Sequence, residues 1–384
     1  MNHMTRVGSE AELDEFEKPV RDAFAAFLAD EGLLYTGETL MGLTFRTGGL
    51  HFAAKALEFI PRNVKLIVAG TNLSAAELEC LASYGRPVFN STNRYDNELV
   101  YEMLMTCSGG AFGWVDADCF VLNPSIWDGL FAPFEDDVGA HTAFTYDPLG
   151  FAKSVLVVFG GRVKELLRAE RTTLNSYAAE PTNVGRAAPH SISRLLQDNH
   201  WRYLKQILGT DAEGGLQPHD GLLDIFDNGR TVNTRKRSQL KQWFGPEVRF
   251  VGPLVDTPMM ADIVLRANGF KTRRLIDSNR EVSQDIVHVG ASSYRERMRQ
   301  EGASQTYLAR FKLTDLFEVL LAEELAAKGG GDHYTKLAEA QRQRLRDEAG
   351  VNGDEIKPIA RSMLSDHGID LAPISSDHRL QFLF

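Results

Sequence analysis

Between residues 39 and 115 short apolar runs alternate with stretches of helical periodicity, and this alternation restricts the fold more than any other feature of the chain. Residues 39–45 read as a strand, 50–59 as a helix, 64–69 (VKLIVA) as a strand, 74–83 as a helix, 87–90 as a strand, 97–107 as a helix and 112–115 as a strand. The run at 64–69 is almost purely apolar, as a strand covered on both faces requires. Ser74 stands where it can cap the helix that follows, with Glu77 at the capping-box spacing. Strands and helices in strict succession predict an open, mostly parallel α/β sheet with right-handed crossovers and helices on both faces. Ligands bind such sheets beyond the carboxyl ends of the strands, so chemistry is expected just after Phe45, Ala69, Asn90 and Val115.

The flanking regions read differently. Residues 10–31 carry Phe16, Val20, Phe24 and Phe27 at helical spacing, which predicts an amphipathic helix. From about 131 to 298 the pattern is less regular. It holds strand-like runs at 154–159 (SVLVVF) and 285–289, and the start of a helix at 163–168. A Thr-, Asn-, Ala- and Pro-rich stretch at 171–190 reads as a lid or loop. Helical periodicity returns at Leu308, Phe311, Leu316, Val319 and Leu320 and stops at Gly329-Gly330-Gly331, with charged helices beyond. That apolar stripe serves intramolecular core or, alternatively, a homodimer seam. The apolar Leu380-Gln381-Phe382-Leu383-Phe384 is expected to be docked.

Charge and cysteine usage exclude several classes. Lys and Arg number 42 against 52 Asp and Glu, a net charge of −10, so no broad positive footprint exists for nucleic acid. Arg230 with Arg235-Lys236-Arg237 comes nearest and reads as a solvated loop or a phosphate-binding patch. The three cysteines, Cys80, Cys107 and Cys119, are odd in number and lack C-x-x-C spacing. This usage predicts a reducing, cytoplasmic setting, without a disulfide scaffold or a cysteine zinc site. No leader peptide and no apolar run long enough to span a membrane is visible.

Three segments carry candidate chemistry. In Phe112-Gly113-Trp114-Val115-Asp116-Ala117-Asp118 an apolar strand runs into two carboxylates one residue apart. If strand geometry persists, both project to the same side. Adjacent carboxylates repel, so a hard divalent cation is their natural companion, although such a pair also occurs as plain loop acids. Downstream, Asp285-Ile286-Val287-His288-Val289-Gly290 sets a histidine on an apolar strand before glycine, small hydroxyls, Tyr294 and Arg295. Alone such a histidine is commonly a core residue; the loop after it suits phosphate oxygens. The third segment, His219-Asp220-Gly221-Leu222-Leu223-Asp224, offers a carboxylate beside glycine, or equally a helix N-cap.

The order of these features resembles that of metal-dependent glycosyltransferases of the GT-A fold, most closely the glycogenin-like family eight. Val115-Asp116-Ala117-Asp118-Cys119-Phe120-Val121-Leu122-Asn123-Pro124 with Leu130-Phe131 is similar to that family's D-A-D segment. Lys153-Ser154 and the strand behind it look like the family's next strand. His219-Asp220-Gly221 sits where the family has Asp-Gln, and His288-Val289-Gly290 resembles its C-terminal metal-binding histidine and phosphate loop. The resemblance implies a Rossmann-like, mixed and mostly parallel sheet flanked by helices, with a helical C-terminal extension. It divides the chain into an N-terminal helical segment (1–36), a catalytic domain (37–300, with a nucleotide-binding half 37–130 and an acceptor half 131–300) and a helical C-terminal region (301–384).

Carried over by position, Asp118 and His288 would bind Mn²⁺ (or Mg²⁺), with Asp116 on the metal or the donor ribose. A mixed carboxylate and imidazole set suits Mn²⁺ better than Mg²⁺. Gly290, Tyr294 and Arg295 would lie by the diphosphate of a nucleotide sugar, UDP-linked in preference, with Thr44, Arg46, Thr47 and Ala117 also on the donor. Ser154 would face the sugar, and Asp220 would be the general base of an inverting reaction or position the sugar in a retaining one. Gly221 replaces the family's glutamine, which leaves the stereochemical outcome open. The acceptor is a small molecule, glycan or protein. Two alternatives stand beside this reading: a sugar-phosphate nucleotidyltransferase, and an inactive sugar-nucleotide-binding scaffold. A P-loop is excluded because the stretch from Gly329 to Lys336 lacks its spacing.

Overall fold

A computed structural model describes residues 10–46, 48–92, 97–146, 150–153, 155–169, 177–178, 194–195, 206–207, 209, 254–255, 257–277, 280–290 and 311–384. After helix α1 (Glu10–Asp30) comes the alternation expected from sequence: β1 (Leu40–Arg46), α2 (Leu50–Phe59), β2 (Lys65–Thr71), α3 (Ala75–Ala82), β3 (Val88–Ser91), α4 (Asn97–Cys107) and β4 (Phe112–Asp116). A second series follows: β5 (Cys119–Val121), α5 (Ser125–Leu130), β6 (Val138–Thr142), β7 (Thr145–Tyr146), β8 (Phe151–Ala152), β9 (Leu156–Phe159) and α6 (Lys164–Ala169). Beyond it lie β10 (Tyr177–Ala178), β11 (Arg194–Leu195), β12 (Leu254–Val255), α7 (Thr257–Ala267), β13 (Lys271–Arg274) and β14 (Ile286–His288). The chain then continues through α8 (Lys312–Ala327), α9 (Asp332–Ala349) and α10 (Ile356–Asp366).

Seven strands form one sheet in the order β13-β6-β9-β4-β1-β2-β3. Only β9 runs against its neighbours; the other pairings are parallel. The result is a mixed, mostly parallel sheet flanked by helices, with a helical C-terminal region. The lid expected at 171–190, the basic cluster around Arg235 and the start of helical periodicity at Leu308 lie outside the described residues, apart from the two residues of β10.

Each sheet face has its own core because successive side chains of a strand point to opposite sides. Met41, Leu43, Leu66, Val68 and Val115 face α2 and the C-terminal helices. Leu40, Ile67, Ala69, Phe112 and Trp114 face α1, α4 and α7. Helix α4 approaches β1 so closely that a Cβ on Gly42 would stand 2.7 Å from Leu104 Cδ1. Beside it Tyr101 stacks on Trp114, with ring centroids 4.2 Å apart. The apolar end of the chain is docked as expected: Leu380, Phe382 and Leu383 are buried, while Phe384 is 40% exposed. No helix among the described residues is long and apolar enough to cross a membrane.

One carboxylate joins the two halves of this architecture. Ser74 caps α3, and Glu77 answers it through Oε2, 2.9 Å from both the Ser74 amide and its hydroxyl. Glu77 Oε1 accepts the Gly48 amide at 2.9 Å and the Tyr334 hydroxyl at 2.7 Å. Tyr334 in turn accepts the amide of Leu50, the first residue of α2. The loop after β1 is thereby tied to α3 and to α9 at once. Burial alone would raise the Glu77 pKa, but the hydrogen bonds from Ser74, Gly48 and Tyr334 outweigh it and hold the carboxyl below its ordinary value.

Glu77→Gln must turn an NH₂ towards one of those pairs of donors, so we expect it to lose about 1–3 kcal/mol in urea denaturation at neutral pH. A carboxyl with a lowered folded-state pKa contributes fully above its unfolded pKa, and the contribution fades as pH falls through the folded value. The stability gap between the two proteins should therefore narrow in acid.

Candidate active site

Strands β1 and β4 are neighbours, but the crossovers from β1 lead away through β2 and β3, so the strand order reverses between them. The carboxyl end of such a pair opens a crevice for ligands. Asp116 is the last residue of β4 and lies in register with Thr44 of β1. The amide of Asp116 donates to the Val155 carbonyl at 2.8 Å, which fixes where the strand stops.

The two carboxylates converge for a different reason from the one expected. The strand does not persist through Asp118: Ala117 and Asp118 form a turn, and β5 begins at Cys119. β5 pairs antiparallel with β14, His288 standing opposite Cys119, and the Val289 amide donates to the Asp118 carbonyl. This short ladder lies outside the main sheet and carries His288 to the aspartates. His288 Nε2 is 3.4 Å from Asp118 Oδ1 and 3.7 Å from Asp116 Oδ2. One potential ligand atom from each of the three residues lies within 4.8 Å of the others. Oxygen and nitrogen ligands about 2.0–2.2 Å from a shared cation lie roughly 3–4.4 Å apart, so the donor set fits a divalent ion in both chemistry and spacing.

The electrostatics fit the same picture. Asp118 is buried, whereas Asp116 and His288 are partly buried. Burial opposes a charge on His288, yet Asp118 and Glu281 outweigh it and raise its pKa well above the ordinary histidine value. For Glu281 burial also opposes ionisation, but the hydrogen bond and charge of His288, with Lys153, bring its pKa down to about 2. Burial pushes the Cys119 thiol up, reinforced by the nearby carboxylates, so it is an inert packing residue.

Other residues singled out from sequence have mixed placements. Thr44 is buried and shares a 3.3 Å hydrogen bond with the Tyr101 hydroxyl. Ala117 is half-buried between the two aspartates, and Arg46 ends β1. Gly290 follows His288 with φ +70°, a backbone that favours glycine. Thr47, Ser154, Asp220, Tyr294 and Arg295 lie outside the described residues.

Sequence reasoning assigned no role to Glu281, Lys153 or Thr314. Glu281 Oε2 meets His288 Nδ1 at 2.9 Å, and Lys153 Nζ reaches Glu281 Oε1 at 2.8 Å. The Thr314 hydroxyl, on α8, points at the carbonyls of Val289 and Gly290 at 2.7 and 2.9 Å. Glu281 stands before a tight reversal in which Val282 bridges Val287, and no regular pattern in the sequence marks that reversal.

Two comparisons of sequence point to sugar transfer. Residues 17–163 match the StrH glycosyltransferase N-terminal domain. A dTDP-dihydrostreptose--streptidine-6-phosphate dihydrostreptosyltransferase of Streptomyces griseus is 26% identical over 339 residues, covering 85% of this chain and 86% of that protein. The glucosyl-3-phosphoglycerate synthase of Mycobacterium tuberculosis, solved with Mg²⁺ and UDP, matches at TM-score 0.28 and 13% identity over 46% of this chain and 72% of its own. S. aureus TarS 1-349 matches at TM-score 0.27 and 10% identity over 80% of this chain and 91% of its own.

Thr314→Val keeps the shape of the side chain and removes the hydroxyl that holds the loop after β14. We expect it to cost about 0.5–1.5 kcal/mol in urea denaturation. An unchanged midpoint would show that α8 does not brace this loop.

Proposed function

We propose that this protein transfers a sugar from a nucleoside-diphosphate sugar to an acceptor hydroxyl, using a divalent cation held by Asp116, Asp118 and His288. The observation that carries the reading is the convergence of those three side chains at the crevice between β1 and β4. The sequence similarity to a sugar transferase supports it. The Streptomyces griseus enzyme is named for a dTDP-sugar, and the family-eight resemblance favours UDP, so we propose a pyrimidine nucleoside diphosphate as the donor's carrier.

When bound, a divalent cation supplies Lewis-acid stabilisation of charge on the departing diphosphate, worth several kcal/mol in a transition state. The chain's own residues supply the rest. Asp118 and His288 hold the ion, and Asp116 reaches either the ion or the donor ribose. Gly290, with no side chain, lets diphosphate oxygens approach the backbone closely. Tyr294 and Arg295 follow it in sequence and contribute a hydroxyl donor and a cation as negative charge develops. Thr44, Arg46, Thr47 and Ala117 border the donor, and Ser154 faces the sugar. Asp220 accepts the acceptor's proton if the anomeric centre inverts, and positions the sugar if it does not.

Calorimetric titration with UDP, dTDP and GDP, with and without Mn²⁺, tests this on wild type and Asp118→Ala. One nucleotide should bind in a Mn²⁺-dependent manner, with affinity weakened at least about tenfold in the variant, the scale of a lost charged contact. The binding nucleotide would name the sugars to screen for transfer. No binding of any nucleotide under either condition would overturn the reading.

A further inference from the structure

Each nitrogen of the His288 ring has its own surroundings. Nε2 faces Asp118 and Asp116 at 3.4 and 3.7 Å, while Nδ1 faces Glu281 Oε2 at 2.9 Å. An imidazole that ligates a cation through Nε2 keeps its proton on Nδ1, and an acceptor there selects that tautomer, fixes the ring and raises the basicity of the ligating nitrogen. We infer that Glu281 is the positioning residue that aims His288 Nε2 at the cation site, and that Lys153 holds Glu281 in place for that task. This inference rests on the metal-dependent reading proposed above.

The geometry assigns Glu281 to orientation rather than ligation. Its Oε2 is engaged by His288 Nδ1 on the side of the ring away from the aspartates. Its Oε1 is engaged by Lys153 Nζ at 2.8 Å. The group whose ligand atoms converge consists of Asp116, Asp118 and His288, without Glu281.

The backbone enforces the same pairing. The His288 amide donates to the Glu281 carbonyl at 2.7 Å, and Val282 bridges Val287 within the reversal. Residues 281 and 288 are therefore joined by main chain and side chain together, and turning the ring breaks the side-chain contact that the backbone pairing brings into reach. Lys153 comes from the segment between β8 and β9, so strands on both sides of the site contribute to holding one ring.

Mn²⁺ titrations followed by electron paramagnetic resonance test the assignment. They would use the intact protein with the pyrimidine nucleotide it binds, comparing wild type, Glu281→Ala, Glu281→Gln and Asp118→Ala. Glu281→Ala should raise the Mn²⁺ dissociation constant about 10–100-fold, the range for lost outer-shell partners of metal-bound histidine. Glu281→Gln should recover part of this, because its amide oxygen still accepts the Nδ1 proton. Both should keep the far- and near-ultraviolet circular dichroism of wild type in EDTA, which a general loss of folding would not permit. If Glu281→Ala bound Mn²⁺ like wild type while Asp118→Ala had lost it, the positioning role would be wrong and the metal site would stand. If wild type itself took up no Mn²⁺, the metal reading would fall and the positioning role with it.

Discussion

Three residue pairs between β5 and β14 hold the site together: Val121 with Ile286, Phe120 with Val287, and Cys119 with His288. Everything proposed for the crevice depends on this short ladder, because it joins the turn that follows the fourth strand to a segment far downstream. Without it Asp116 and Asp118 would be two acids repelling one another at a strand end. With it an imidazole stands between them and a third carboxylate, that of Glu281. The ladder is anchored by burial as much as by hydrogen bonds, since Cys119, Phe120, Val121, Ile286 and Val287 are all buried.

The C-terminal helices belong to the same construction. Helix α8 holds the loop after β14 through Thr314, and α9 holds the loop after β1 through Tyr334 and Glu77. These loops border the crevice on the sides where we propose that the diphosphate and donor lie. A region that reads from sequence as an extension is thus bonded to both walls of the site. Helix α2 is secured from the same direction: Lys55, only 3% exposed, donates to Glu58, to Glu324 of α8 and to the Arg379 carbonyl.

Much of the architecture was legible because its signals are local. The alternation from β1 to β4 shows in periodicity, and the cap of α3 shows in the Ser74–Glu77 spacing. Asp116 and Asp118 stood out because an apolar strand leads into them, and His288 because glycine follows it. What stayed hidden depends on juxtaposition. Tyr334 answering Glu77 joins residues 257 apart in sequence, a partnership no window of sequence contains. Glu281 is only seven residues from His288, yet no regular strand pattern marks the reversal between them. The expectation that a continuing strand aligns the aspartates was right in its outcome and wrong in its cause. The chain turns at Ala117, and the pairing of β5 does the aligning.

The distance along the chain between the aspartates and their histidine also sets an order of events during synthesis. A ribosome delivers the acidic pair first and adds residues at roughly 5–20 per second, so the imidazole follows roughly ten to thirty seconds later. Thr314 and Tyr334 emerge later still. During that interval the nascent sheet can close its first strands, but the loop after β1 lacks the tyrosine hydroxyl that completes its ties. The meeting of these three side chains is therefore a late step in the birth of the molecule, open only to chains that have been read well past the acidic pair.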